Sequence, residues 1–362
     1  MNVDEDVLRA NREKRSPNLE ESSEYVINPR GQKLSVRTAL PPAGVAVRGY
    51  VLFLHGYCAH GSRPVHTHLT TAFTSAGYGY ITLDFHGHGR SEGERAVVRD
   101  AWDLVDDALC LVLALHGDDA THLQSAQTNR LLGAQSSLRT RIPTASAAPL
   151  YLLGHSMGGG AAILVGAALR RGGAPTAFGR ENAAALQRIA RSFGGAMLFC
   201  PLIDINLPPI LKHALLTPLL CCCPGAALPA FLSNSVGASD KIWATQTYRD
   251  YCASDQWPAN PAGLSYGGRM HLSTLHSLMS MSELVLALLP DVCFPFVIFH
   301  DPEDQVCRFA GSLRAKALAQ SKHKEVQDMP NTLHDVLAND LHGSVSRMLR
   351  WLAERGGEHN VL

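Results

Sequence analysis

Ser156 stands between Gly154 and Gly158 in the run Tyr151 to Leu169, YLLGHSMGGGAAILVGAAL. The residues before it are apolar and strand-like, and those after it form a small-residue, helix-like run. A serine hydroxyl is a poor nucleophile until a base takes its proton. It must also be lifted clear of the backbone so that a carbonyl can reach it. A sharp strand-to-helix turn lifts it, and its crowding demands small neighbours. Gly154-His155-Ser156-Met157-Gly158 therefore reads as a G-x-S-x-G nucleophile elbow. The helix that follows points its positive end at the site, which favours a developing oxyanion.

Such a serine needs a histidine base held by a carboxylate, and in a strand–helix alternation of this kind the chain order is serine, acid, histidine. Downstream of the strand-like FPFVIFH lie Asp301, Glu303 and Asp304. Asp304 sits far enough into its loop to point across the top of a sheet, whereas Asp301 follows the strand directly. Asp304 is the choice, with the other two as alternatives. His334, in DMPNTLHDVLAND, falls between the last short strand and the last helix. His300 lies inside a strand end, and His323 and His342 flank other elements. Two backbone amides should cradle the oxyanion, one from Met157 and one from Tyr57 in HGYCAHG, where Gly56 permits a tight backbone.

Other chemistries fit less well. His55, Cys58, His60, His66 and His68 cluster in one stretch, and His86 and His88 in another, but neither has the spacing of a zinc site. H-E-x-x-H and the phosphate-cradling glycine patterns are missing. No metal and no cofactor are expected.

The elements that must position these residues alternate along the chain. Apolar strand-like runs at 49–54, 78–85, 149–153, 195–200, 294–300 and 325–329 are separated by helical spacing at 66–75, 98–115, 157–169, 275–289, 310–319 and 340–355. Residues 25–28 and 33–39 read as two edge strands joined at Pro29-Arg30-Gly31. This rhythm implies an α/β fold, a mostly parallel central sheet with helices on both faces. Ligands in such sheets bind beyond the carboxyl ends of the strands, where each polar cluster above falls. Residues 1–22 read as a flexible polar tail, 23–201 and 276–356 as the core with an inserted loop at 117–148, and 202–275 as an insertion after the sixth strand.

The chain has 362 residues, with 32 Lys plus Arg against 32 Asp plus Glu, so no global field recruits nucleic acid. The charged N-terminus is unlike a secretory signal. The nearest approach to a membrane span, Ala214 to Leu232, is broken by three prolines and a glycine. Nine cysteines without paired spacing suggest reduced thiols and a cytoplasmic protein. Cys221-Cys222-Cys223 suits either lipidation near a membrane or plain packing.

Taken together, HGYCAHG, DFHGHGRSEGE, GHSMGGG, HDPEDQVC and NTLHDVL resemble the monoglyceride-lipase and lysophospholipase branch of the serine α/β-hydrolases, of the serine aminopeptidase type, over about residues 25 to 355. The resemblance implies Ser156 as nucleophile, Asp304 as acid, His334 as base and the Asp84–Gly93 loop as support beneath the site. It implies that 202–275 forms a helical cap, which could contact a membrane peripherally. The expected activity is hydrolysis of a monoacylglycerol or lysolipid to a free fatty acid. Relatives of this kind also include aromatic-ester esterases, peptidases and acyltransferases, and a non-catalytic binding protein is the remote alternative. The 117–148 loop and the segment 171–194 look longer than the resemblance implies.

Overall fold

The computed structural model describes residues 24–116, 148–207, 210, 214, 216–223, 225–229 and 239–359. The N-terminal tail and nearly all of the 117–148 loop named above lie outside the described residues.

Eight strands form one sheet. They are β1 (Glu24–Ile27), β2 (Lys33–Ala39), β3 (Gly49–Leu54), β4 (Tyr78–Leu83), β5 (Leu150–His155), β6 (Phe193–Phe199), β9 (Phe296–His300) and β10 (Lys324–Asp328). Between β6 and β9 in the chain lie the short parallel pair β7 (Gln256–Trp257) and β8 (Ser265–Tyr266). The sheet order is β1-β2-β4-β3-β5-β6-β9-β10, antiparallel for the first two pairings and parallel for the rest. β2 is not an edge strand, because it is held between β1 and β4. Every residue of β3, β4, β5, β6 and β9 is buried, as expected of strands covered on both faces.

Two apolar layers cover those faces. Helices Ala101–Leu115, Met157–Arg171 and Leu272–Leu288 join one, with Leu52, Leu54, Leu152 and Leu198 of the sheet. Helices Val65–Ser75 and Leu341–His359 join the other, with Phe53, Leu153, Phe199 and Phe299. Asp100 starts its helix by accepting a hydrogen bond from the Trp102 amide at 2.9 Å. The segment 171–194 holds two short helices, Ala177–Glu181 and Ala183–Ile189, and a 3₁₀ turn.

After β6 the chain leaves the sheet. Its described part forms short helices at Thr217–Cys222, Ser239–Ile242 and Gln246–Ser254. Buried polar contacts tie this segment to the core. The Trp243 indole N–H donates to Asp335 Oδ2 at 2.9 Å, and His60 Nε2 lies 2.9 Å from Asp255 Oδ2. Among the described residues, the helix long and apolar enough to cross a membrane, by length and composition only, is Leu272–Asp291. More than half of it, 56%, is buried against the protein, which marks a core helix.

His55, His60, His66, His88 and His155 are among the buried histidines. Burial pushes His55 and His88 down to about 3, and also lowers His60, His66 and His155. Each is held neutral in the fold, while the unfolded chain takes up a proton near pH ~6.5. Stability is therefore complete above that value and is lost as pH falls towards about 3. His55 and His88 together cost about 3 kcal/mol per pH unit across that window. The thermal midpoint should be clearly lower at about pH 5 than at about pH 7. An unchanged midpoint would show that these imidazoles are not buried neutral.

Candidate active site

Ser156 is the hinge between β5 and the helix Met157–Arg171, with φ 53° and ψ −117°. A residue with a Cβ avoids that region unless its surroundings enforce it. Here the Ser156 N–H donates to the Phe199 carbonyl at 2.9 Å, and its own carbonyl accepts from Gly159, Gly160 and Leu202. The glycines make the turn possible. A Cβ at Gly154 would sit 2.5 Å from the Gly158 carbonyl oxygen, and one at Gly158 would collide with the Leu54 carbonyl of β3.

Asp304 comes from the loop after β9 and His334 from the loop after β10. His334 Nε2 lies 2.8 Å from Ser156 Oγ, and His334 Nδ1 lies 2.7 Å from Asp304 Oδ2. The other carboxylate oxygen, Oδ1, accepts from the amides of Val306 at 2.7 Å and Cys307 at 3.2 Å. His300 Nε2 also lies 3.1 Å from Asp304 Oδ2 and 3.1 Å from the Cys307 carbonyl. Both of those are acceptors, so Nε2 carries the proton and Nδ1 accepts from the Ser312 hydroxyl at 2.7 Å. Burial alone would raise the Asp304 carboxyl. The His334 charge and the hydrogen bonds from His300 and His334 outweigh it and hold the group well below the usual carboxylate range. Asp304 therefore stays ionised and keeps the His334 proton on Nδ1, leaving Nε2 free to accept from Ser156.

Asp301 and Glu303, the sequence alternatives, stand apart from His334. Asp301 Oδ2 accepts from the amides of Thr332 and Leu333 at 2.8 and 2.7 Å, which anchors the loop that carries His334. His155 adds a second brace, because its Nε2 lies 3.1 Å from the His334 carbonyl. The sequence reading assigned no part to His300, to Asp335 or to Arg63. His300 is signalled only by lying four residues before Asp304 at a strand end. Asp335 and Arg63 approach to 3.8 Å across a large sequence separation that no local pattern reveals.

Below the loops, Asp84 Oδ1 accepts from the Gly61 amide at 2.6 Å and Oδ2 from the Arg90 amide at 3.0 Å. The Asp84–Gly93 loop is thereby tied to the stretch that carries Tyr57. The amides of Tyr57 and Met157 meet no acceptor among the described residues, and both residues line the cavity that contains Ser156. That cavity has a volume of about 410 Å³. Leu202, Ile205, Met270, Leu278 and Val306 form an apolar wall, while Arg63, Gln256, Ser265 and Asp335 supply polar groups.

Cys200, Asp304 and His334 offer possible ligand atoms within 4.8 Å of one another. They do not fit a metal. His334 has both nitrogens engaged, and burial pushes the Cys200 thiol well above its usual range, away from the thiolate a metal requires. Burial likewise raises the Cys307 thiol, which leaves it a poor nucleophile beside Ser156.

The family model described as serine aminopeptidase, S33, matches residues 45–177 and 179–342. The chain belongs to this family. Among curated relatives of this S33 chain, the human monoglyceride lipase is 24% identical over 335 residues, covering 91% of this chain and 90% of the relative. The monoacylglycerol lipase of Mycolicibacterium smegmatis is 22% identical over 291 residues, covering 80% and 82%. Among solved structures, the Paleococcus ferrophilus monoacylglycerol lipase superposes with a TM-score of 0.62 at 17% identity, covering 89% of this chain and 99% of that one. A soluble variant of the Saccharomyces cerevisiae monoglyceride lipase gives 0.61 at 19%, covering 94% and 97%. The S33 chain thus has the α/β-hydrolase fold that the motifs implied, and by family it is a carboxylic ester hydrolase.

Proposed function

We propose that the protein is a monoacylglycerol lipase or lysophospholipase that releases a free fatty acid. One observation carries this reading: a serine, a histidine and an ionised aspartate in hydrogen-bonded sequence open onto a cavity with an apolar wall. Ser156 Oγ attacks the ester carbonyl while His334 Nε2 takes its proton. The amides of Met157 and Tyr57 receive the negative charge of the tetrahedral oxygen. His334 then returns the proton to the leaving alcohol, and a water activated by the same nitrogen releases the acid. The apolar wall favours a long acyl chain, each buried methylene contributing about 0.8 kcal/mol. The relatives named as monoacylglycerol lipases support the same substrate class. In this reading the segment after β6 is a cap over the cavity.

A fluorophosphonate probe tests the reading. Labelling is expected at Ser156 and should be suppressed by excess monoacylglycerol, more strongly as its acyl chain lengthens. Labelling that short aromatic esters suppress better than long-chain lipids would move the substrate to the aromatic-ester class. Absence of labelling would remove the serine-hydrolase assignment.

A further inference from the structure

The loop that carries His334 is gripped from two sides. Asn331 and Leu333 have φ of 63° and 53°, a region that a residue with a Cβ leaves unless its surroundings hold it there. On the core side, Asp301 accepts from the amides of Thr332 and Leu333, and His155 Nε2 meets the His334 carbonyl. On the other side the partners come from the segment after β6. The His334 N–H donates to the Lys241 carbonyl at 3.3 Å, and the Asp335 N–H donates to the Ile242 carbonyl at 3.2 Å. The Asp335 carboxylate accepts from the Trp243 indole N–H.

Asn339, the last residue of the short helix Val336–Asn339, closes this grip. Its Nδ2 donates to the Thr332 carbonyl at 2.6 Å and to the Ile242 carbonyl at 2.8 Å. Its Oδ1 accepts from the Ala244 amide at 2.9 Å. Two carbonyls demand the NH₂ and one amide demands the oxygen, so the side chain has a single satisfied orientation. One side chain therefore bonds the histidine loop and residues 242 and 244 at once. Trp243 and Asp335 line the cavity that contains Ser156, whereas Asn339 does not.

We propose that Asn339 is a positioning residue for the hydrolytic reaction. It locks segment 241–244 onto loop 331–335, and His334 Nε2 stays in reach of Ser156 only while that segment is seated. Asn339 touches no reacting atom and acts through the backbone around His334. The base and the nucleophile are 2.8 Å apart, and a misplacement of about 1 Å at such a contact costs about a hundredfold in rate. Without the Asn339 amide, the Thr332 carbonyl and the Ala244 N–H lose this partner, and the strained backbone at 331 and 333 is free to relax. The proposal rests on His334 being the base and is independent of which ester is cleaved.

Asn339→Ala, assayed on a short-chain p-nitrophenyl ester and on a long-chain monoacylglycerol, tests it. On both substrates kcat should fall by about tenfold to a hundredfold, with KM within about twofold. The rate at which a fluorophosphonate labels Ser156 should fall by a similar factor in protein whose thermal midpoint shows it folded, because labelling needs the same base. A purely structural tie would lower the midpoint and leave kcat and labelling unchanged, and that result overturns the proposal. A change confined to KM that grows with acyl-chain length would place Asn339 in substrate binding and also overturns it. If Asn339→Ala does not fold, Trp243→Phe decides the matter, because it keeps an aromatic ring and removes the indole N–H that Asp335 accepts. That variant should lose about threefold or more in kcat on both esters, and an undiminished kcat overturns the proposal. Wild-type protein that takes no label removes His334 as base and the proposal with it. Normal wild-type labelling beside an equal rate in folded Asn339→Ala removes the positioning role alone.

Discussion

Ser156→Ala is expected to lower kcat by about a million-fold, because the serine and its base act as one unit. The residual rate over water should be about a thousand-fold or more, from the two oxyanion amides and substrate binding. Stability should barely change. The bonds that hold position 156 in place are made by its backbone, to Phe199, Gly159, Gly160 and Leu202, and alanine keeps all of them. The strained φ of 53° is also common to both side chains. Fatty-acid release measured beside the thermal midpoint checks both halves. Wild-type turnover in this variant would remove Ser156 from the chemistry.

Asp304→Asn should lower kcat by about ten-thousand-fold, with a smaller change in KM. Four donors converge on this carboxylate: His334 Nδ1 and His300 Nε2 on one oxygen, and the Val306 and Cys307 amides on the other. An asparagine must turn its NH₂ towards one of these pairs, so donors face donors in either orientation. If it faces His334, the proton moves to Nε2, where it blocks acceptance from Ser156. If it faces the amides, the loop after β9 loses its anchor. The variant should also lose about 1–3 kcal/mol of stability, the cost of buried donors left unsatisfied. Steady-state kinetics and thermal unfolding of the same preparation separate the two effects. A variant with normal kcat would show that His334 needs no carboxylate to hold its tautomer.

Much of this arrangement is legible in the chain before any coordinates. The apolar runs of β3, β5 and β6 are continuous, as double burial demands, and the glycines around Ser156 mark a turn too tight for side chains. Strand ends then locate Asp304 and His334, because a parallel sheet gathers its loops on one side. What local pattern omits is pairing at a distance. Nothing in LSVRTA places Arg37 opposite Thr82, or β2 inside the sheet rather than at its edge. Trp243 meeting Asp335, and His300 sharing the Asp304 oxygen with His334, follow from tertiary packing alone. The apolar helix at Leu272–Asp291 passes a membrane test by composition and is resolved as core only by what packs on it.

The sheet order has a consequence for when the molecule can act. The elbow is finished once β3, β5 and β6 are aligned, all before residue 200. The histidine within hydrogen-bond distance of Ser156 lies 178 positions later, behind two further strands that must dock at the far side of β6. Contacts of such span form slowly, because the intervening chain must be ordered before they are rewarded. A chain emerging from the ribosome therefore presents Ser156 without its histidine partner until its last quarter has been made and folded. Turnover is then expected to be silent in any form that ends before His334.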